Sequence, residues 1–469
     1  MMNNDIKDIS FVIPGPEPEK AALISVKNSF FNNLVFSLSK LITTINLILL
    51  GHILYENKTN YQLFMIFQIG VFIIEILGKI FLFGLLKYLF YDKEENELYI
   101  LFVKMKAALI ILILIILIPV SIISYFIIEI ILKYNFEIYD QYLIKEVYFN
   151  FILFTPLISL FEILFLLNIE FIHKINKLKV ERDNYNIKAI FFYIISFLIC
   201  HITLSYCLLY ILEIGLIGLT LSYGLNSFIF YLCTNRYITK KQQYNSQHFF
   251  IIPNIELFDD DLMNILKENS VSSFNNLSDV IVFIFLFLVS LFTTQNQLII
   301  NIIYLNFYEL LCTINRGFYF TLKNYFSKNL EDATKRKRYV IYFSLYYLIL
   351  TLAIFIVLIL FKNILLETYL YEGGKGKIDI SMNLKIIYPI VILISNVRMA
   401  LNGILRGMSV SLPSGRKTFY IIIYMILCWI LCINFNYGIF GLWLSILLLN
   451  IAFVLESTHK AQIYFPEAF

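Results

Sequence analysis

Charge is what this sequence has least of. Only 15% of its 469 residues are Asp, Glu, Lys or Arg, where a soluble domain carries about a quarter. The 37 basic and 33 acidic residues nearly cancel, leaving a net charge of +4, which offers no basic patch for nucleic acid. Catalytic signatures are missing as well. There is no HExxH, no GxSxG, no phosphate-binding loop and no paired Cys/His arrangement, so an enzyme is not expected, and no cofactor either. The six cysteines, Cys200, Cys207, Cys233, Cys312, Cys428 and Cys432, lack metal-ligand spacing and have no secreted framework to staple. They read as small core residues. The first twenty residues are polar, with Asp5, Asp8, Glu17 and Glu19 among them. They show no charged region followed by a short apolar stretch and a cleavage site, so the first apolar helix is expected to be an uncleaved anchor.

What is present is apolar length. Hydrophobic residues make up 59% of the chain and the mean hydropathy is +0.77. A spanning helix needs roughly 20 apolar residues, and such runs follow one another from end to end. We read twelve helices: α1 over 22–50, α2 over 61–90, α3 over 103–132, α4 over 143–171, α5 over 188–211 and α6 over 214–236. After a polar stretch at 237–268 come α7 over 269–292, α8 over 297–325, α9 over 339–366, α10 over 382–407, α11 over 415–434 and α12 over 437–458. The 45 Phe and 33 Tyr accompany abundant Ile, Asn and Lys, all encoded by AT-rich codons. Aromatic content alone therefore does not mark a binding site.

Basic residues are absent from some loops and dense in others. The loops after α5, α7 and α11 carry no Lys or Arg. Lys174, Lys177, Lys179, Arg182 and Lys188 follow α4, and Lys328, Lys335, Arg336, Lys337 and Arg338 follow α8. Arg236, Lys240 and Lys241 follow α6, and Arg416 and Lys417 follow α10. Loops rich in Lys and Arg stay in the cytoplasm, which puts both chain ends inside. The sequon Asn57-Lys58-Thr59 then falls outside, where a eukaryotic host can glycosylate it.

The chain also reads as two halves. Phe31-Asn32-Asn33-Leu34 in α1 has a counterpart in Phe274-Asn275-Asn276-Leu277 in α7, and Leu86-Lys87-Tyr88-Leu89-Phe90 in α2 has one in Leu322-Lys323-Asn324-Tyr325-Phe326 in α8. An even number of helices per half makes the repeats parallel, related by an axis along the membrane normal. The expected organisation is a tail at 1–21, an N lobe at 22–236, a cytoplasmic linker at 237–268, a C lobe at 269–458 and a tail at 459–469.

An ionisable group in mid-membrane costs about 2.5–3.5 kcal/mol on insertion scales and usually faces a cavity. The candidates are Glu75 and Lys79 in α2, Glu162 in α4, His201 in α5, Asp279 in α7 and Glu309 in α8, with Lys40 in α1 and Arg398 in α10. Each has a plainer reading. Glu75 and Lys79 are four apart and can neutralise each other along one helix face. Glu162 can sit near the interface, and His201 can be a hydrogen-bonded core residue. Asp279 can lie close to a membrane surface.

Glycine-bearing motifs carry a resemblance. Asn402-Gly403-Ile404-Leu405-Arg406-Gly407 ends α10, Gly438-Ile439-Phe440-Gly441-Leu442-Trp443 opens α12, and Gly215-Leu216-Ile217-Gly218-Leu219-Thr220 opens α6. Together with Pro156 and Gly317-Phe318, in this order and spacing over 22–458, they resemble the multidrug and toxic compound extrusion (MATE) family, of the eukaryotic kind. In their own right, small residues at helix ends let backbones pack closely and turn sharply, and Arg406 is an interfacial anchor. The resemblance implies an all-α polytopic protein with two six-helix parallel-repeat lobes. It also implies acidic residues in α7 and α8 on the substrate-facing side, which points to Asp279, with Asn275 and Asn276 before it, and to Glu309. Spacing from Gly317-Phe318 puts the α8 position at Asn306, and Glu75 is a further candidate. The sequence departs from the family in having no acid in α1, where Asn28, Asn32, Asn33 and Asn46 stand, and none in Ser395-Asn396-Val397-Arg398 of α10.

The expected function is export of organic cations or other amphipathic solutes by H⁺ or Na⁺ antiport, through alternating access of the two lobes. Such a protein would work as a monomer in the bilayer of the plasma membrane or of an internal acidic compartment, with a small molecule as its partner. An alternative is a lipid-linked saccharide flippase of the same wider superfamily, whose anionic pyrophosphate calls for a basic cavity. Lys40, Lys79 and Arg398 leave that open. A third reading is a receptor or scaffold without coupling chemistry. The topology has a direct test. Tags at residues 180 and 335 and at both ends are expected to be reached only from the cytoplasm, and labelling of the 174–188 loop from outside would overturn the orientation.

Overall fold

The computed structural model describes residues 20, 41–49, 68, 97–111, 113–115, 119, 126, 158–172, 174–175, 187–214, 216–241, 259–328, 333–360, 382–408, 410 and 414–464. Glu75, Lys40, Lys79, the Phe31–Leu34 motif and the end of α2 lie outside them. Every extended element among the described residues is helical. α5 is Ile187–Tyr206, α6 Leu216–Lys241, α7 Asp260–Ser290, α8 Gln295–Lys328, α9 Ala333–Leu360, α10 Met382–Gly407, α11 Ser414–Trp429 and α12 Gly438–Tyr464. Parts of α1, α2, α3 and α4 precede them. Among the described residues six helices are long and apolar enough to span a membrane, among them Glu97–Ile115 in α3 and Gly438–Tyr464. The protein is an integral, multi-pass membrane protein. Helices suit this setting because each backbone N–H and C=O finds its partner inside the same segment, where no water is available.

Where observed and expected bounds differ, they differ mostly at the helix ends rich in Lys and Arg. α6 continues to Lys241, α7 begins at Asp260, and α8 reaches Lys328. The interval between α6 and α7 is thus shorter at both ends than the expected 237–268. Hydropathy reports where the bilayer stops, whereas a helix stops where its backbone loses a partner. Asp259 supplies such a terminus: its carboxylate accepts the Leu262 N–H at 2.8 Å and caps α7.

The opposite helix ends carry the internal repeat. α5 widens into a π-turn at Cys207–Ile211, and α11 does so at Ile430–Asn434. Glu213 (φ 50°) and Asn436 (φ 54°) then adopt the left-handed conformation, 223 residues apart. The hydrogen bonds repeat at that spacing. Leu212 N–H donates to Cys207 O and Ile214 N–H to Leu208 O; Phe435 N–H donates to Ile430 O and Tyr437 N–H to Leu431 O. The following helix doubles back so tightly that a side chain in its first turn is crowded. A Cβ on Gly218 would lie 3.1 Å from Leu208 O, and one on Gly441 only 2.7 Å from Leu431 O. These are two of the glycine motifs noted above, and their role is close backbone packing. Gly403 does the same between α10 and α8, where a Cβ would meet Tyr319 O at 2.9 Å.

Two apolar cores follow from this arrangement. One gathers Phe165, Phe171 and Phe197 from α4 and α5 with residues of α3 and α6. The other surrounds fully buried Trp443 with Tyr304, Tyr308 and Tyr388. Neither is confined to its own half. Leu262 and Ile265 of α7 join the first core, and Leu47, Leu209 and Leu219 from α1, α5 and α6 join the second. The two halves therefore touch near both ends of the bundle. Lipid tails are as apolar as leucine, so these contacts stabilise by close packing rather than by withdrawal from water. Cys428 and Cys432 are buried as expected, but Cys200 and Cys233 face outward from α5 and α6, a correction to their reading as core residues. A small apolar side chain is equally at home against lipid.

Gly441→Ala forces a Cβ against backbone that cannot move aside, and is expected to destabilise by about 1–3 kcal/mol. Gly224→Ala meets only the Ile158 side chain at 3.2 Å and should be tolerated. Thermal midpoints of the purified variants in detergent compare the two, and equal midpoints would sink the argument.

Candidate functional site

The expected site residues divide into those the structure places and those it does not. Asn306 and Glu309 sit one turn apart on α8, and both are buried, at 1% and 5% exposure. The Asn306 side-chain amide donates to Gln68 Oε1 of α2 at 2.6 Å and to Ile302 O at 2.8 Å. This is a polar contact between the first six helices and the last six, made where both side chains are out of solvent. Gln68 Nε2 and Asn306 Oδ1 have no hydrogen-bond partner among the described residues, and neither does the side chain of Asn301, fully buried on the same helix. Buried amides normally satisfy most of their hydrogen-bonding capacity, so this stretch of α8 holds an excess of donors and acceptors. Asn275, Asn276 and Asp279 lie on α7, but their side chains are outside the described residues, as is Glu75. The structure thus joins Asn306 to Glu309 along one helix and adds Gln68, which sequence reasoning missed. A glutamine inside an apolar run was the available signal.

A second polar cluster occupies the first half. Tyr223 of α6 donates to Glu162 Oε2 of α4 at 2.5 Å. The Tyr223 ring meets the edge of His201 of α5, with centroids 5.6 Å apart. His201 Nε2 lies 2.6 Å from Asn46 Oδ1 of α1 and 3.4 Å from Ser205 Oγ, which is in turn 2.8 Å from Ser222 Oγ. Four helices are joined through side chains that are each less than 10% exposed. The expectation that His201 is a hydrogen-bonded core residue holds, and Glu162 is buried at 3% exposure.

Two cations lie against amide oxygens and aromatic rings. Lys106 of α3, 2% exposed, donates to Asn235 Oδ1 at 2.6 Å and lies over the rings of Phe102 and Tyr231. Asn168 donates to the same Asn235 oxygen and to Thr234. Arg398 of α10 donates to Asn450 Oδ1 at 2.8 Å and stacks on Phe453. Ring faces and amide oxygens supply negative potential without a full charge. Lys106 was missed because α3 was expected to start at 103, which put the lysine at the bilayer edge. The helix is already formed at Glu97.

At the Lys/Arg-rich end, Lys104 of α3 reaches Asp259 at 2.5 Å and Asp261 at 2.9 Å. Just behind this pair, Leu262 and Ile265 enter the first core. The start of α7 is thus fastened to the first half by charge on its rim and by apolar contact beneath. The Lys104 ammonium holds the Asp259 carboxyl below its ordinary 3.8, helped by the Leu262 N–H. No group of three or more His, Cys, Asp or Glu residues suited to a metal occurs among the described residues.

The described residues thus form two helical halves, each with buried polar side chains, that meet through Gln68 and Asn306. Comparison with solved structures makes this architecture more specific. The chain is similar to an outward-facing multidrug resistance MATE family transporter of the MOP superfamily, at 14% identity, 97% coverage of both chains and a TM-score of 0.65. It is similar to the eukaryotic MATE transporter AtDTX14 at 12% identity, covering 94% of this chain and 96% of that one, with a TM-score of 0.62. A MOP superfamily transporter from Pyrococcus furiosus, described as having a binding pocket of reverse polarity, matches at 14% identity, 97% coverage of both chains and a TM-score of 0.59. No family sequence model matches the chain, and no curated relative matches it in sequence. The fold is therefore the all-α, twelve-helix, two-lobed MATE fold.

Lys104→Glu is expected to release the first two turns of α7, seen as severalfold faster amide exchange over 262–267, with partial recovery when Asp261 is changed to Lys and the Asp259 cap is kept. Because the folded Asp259 carboxyl titrates below its unfolded value, its contribution is present above about pH 3.8 and is lost as pH falls through the lower, folded value. Exchange protection should therefore stay constant between about pH 5 and 8 and weaken only in the acid range. Loss of protection near neutrality would count against the clamp.

Proposed function

We propose that this chain is a secondary active transporter that moves organic cations or other amphipathic solutes across a membrane in exchange for H⁺ or Na⁺. The observation that carries this reading is the buried polar contact between lobes, Gln68 with Asn306, beside Glu309 in an otherwise apolar bundle of MATE fold. Burying amides and a carboxylate inside a bilayer protein is costly, and the cost is offset where a solute or ion uses them. Rocking of the two lobes about this region exposes it alternately to each side. The neighbours named above as multidrug transporters support that mode of action, and α7 and α8 provide the candidate ligands, Asp279 and Glu309, with Asn275, Asn276 and Asn306 as further candidates on the same two helices. The chain acts as a monomer, in the plasma membrane or in an internal acidic compartment.

A flippase for lipid-linked saccharides is the second reading. The observation that favours it is Arg398, a cation on α10 where related transporters carry an acid, which suits an anionic pyrophosphate.

The experiment is uptake of ethidium into proteoliposomes under an imposed pH or Na⁺ gradient. Wild type is expected to concentrate the dye in a gradient-dependent way. Asp279→Asn and Glu309→Gln keep shape and lose charge; the first should cut transport by about tenfold or more and the second by less, since a charged contact is worth more than about 1.4 kcal/mol. Full transport in both variants would remove these two acids from the mechanism. Movement of a lipid-linked pyrophosphate, with none of ethidium, would favour the flippase.

A further inference from the structure

The two lobes repeat a hydrogen-bonded ladder, built from different side chains in each. In the C lobe, Cys428 bonds to Tyr424 and to Ser445, and Tyr424 donates across to Val282 O of α7 at 3.2 Å. In the N lobe, 223 residues earlier, the same three rungs are His201, Ser205 and Ser222. His201 reaches across to Asn46 of α1, the helix corresponding to α7, at 2.6 Å. Ser222 and Ser445 each donate to the carbonyl three residues back, Leu219 and Leu442. Where the C lobe has a phenol, the N lobe has an imidazole. Where Ile446 stands in the C lobe, the N lobe has Tyr223, whose hydroxyl binds Glu162.

The imidazole has room for a proton. With the Asn46 amide oxygen as acceptor, Nε2 carries the hydrogen and Nδ1 keeps its lone pair. Nδ1 is buried with no hydrogen-bond partner among the described residues, and His201 itself is fully buried. The nearby ring of Tyr223 links it to the Glu162 carboxyl. Among the described residues, the other charged groups on α3, α4 and α6 are Glu97, Lys104 and Lys106, Glu170 and Lys174, and Arg236 and Lys240. Lys106 is bonded to Asn235 at the level of Asn168. Asn168 and Glu170 lie six and eight residues beyond Glu162, so the charges of Lys106 and Glu170 are about 9 Å or more along the helix axis.

We propose that Glu162, Tyr223 and His201 form a proton-binding site in the N lobe that couples transport to the proton gradient in this chain, in place of the acids missing from α1 and α10. This rests on the transporter reading above. The site takes up and releases one proton, held at the Glu162 carboxyl or at Nδ1 of His201. Two interacting groups that share a proton titrate as a pair. The only bonds made and broken are O–H and N–H, and the proton comes from water on one side and returns to water on the other.

The test has a spectroscopic arm and a transport arm, both on the full chain. Infrared difference spectra of the purified protein between neutral and acid pH are expected to show a protonated carboxyl stretch that is missing from Glu162→Gln. Tyr223→Phe should retain that stretch but move it to higher frequency, because the carboxyl loses its hydrogen bond. A stretch that persists in Glu162→Gln, or, should that variant not fold, one that is unshifted in Tyr223→Phe, overturns the proposal. In proteoliposomes, Glu162→Gln should lose the pH-gradient dependence of ethidium movement. Full gradient dependence in that variant overturns the coupling role. If wild type moves no ethidium while the Glu162 stretch is present, the transport reading fails and the proton site stands.

Discussion

In a bilayer there is no water to satisfy a stray backbone group, and the rest of this structure depends on that constraint. Each segment closes its own hydrogen bonds as a helix, and each return between helices must be made in few residues. Both well-described returns, α5 to α6 and α11 to α12, solve this in one way. A π-turn shifts the hydrogen-bond register, one residue turns left-handed, and a glycine lets the next helix pass against the carbonyl of Leu208 or Leu431. The two turns fix how α5 lies on α6 and α11 on α12, and hence where Ser205 meets Ser222 and where Cys428 meets Ser445.

Once the apolar faces are packed, the remaining polar groups stand out by position. They fall at three levels: the Lys104 clamp at the Lys/Arg-rich end, the Gln68–Asn306 contact between lobes, and the His201 ladder within the N lobe. α7 joins the first level to the second core. Its opening turns rest on the N lobe through Leu262 and Ile265, and its closing turns lie with Val282, Leu286 and Phe287 in the C-lobe core. As a single helix of 31 residues, it spans about 46 Å and is held at each end by a different half.

Much of the fold was legible in the sequence because hydropathy and positive charge are read directly by the bilayer. α10 occupies 382–407 as expected, and α5 and α11 match within a residue when their π-turns are included. The bounds that moved, at Asp260, Lys241 and Lys328, are helical residues beyond the apolar span, where composition no longer reports helix. The site was less legible. Glu309, Asn306, Glu162 and His201 were marked by the cost of a polar group among apolar ones, but that cost says nothing about a partner. Gln68 and Lys106 went unread because one is uncharged and the other seemed to lie at an edge.

What the sequence by itself determined is one-dimensional: the succession of spans, the side of each loop expected to be basic, and the glycines that permit close returns. Each follows from the local solvation or sterics of a short segment. Only the tertiary structure decided which polar residue faces which. Tyr223 reaches Glu162 across 61 positions of chain and Asn306 reaches Gln68 across 238. Such pairings depend on the rotation of each helix about its axis. In a medium where every face of a helix is apolar enough to be tolerated, that rotation is set by packing against neighbours and not by the pattern along one segment.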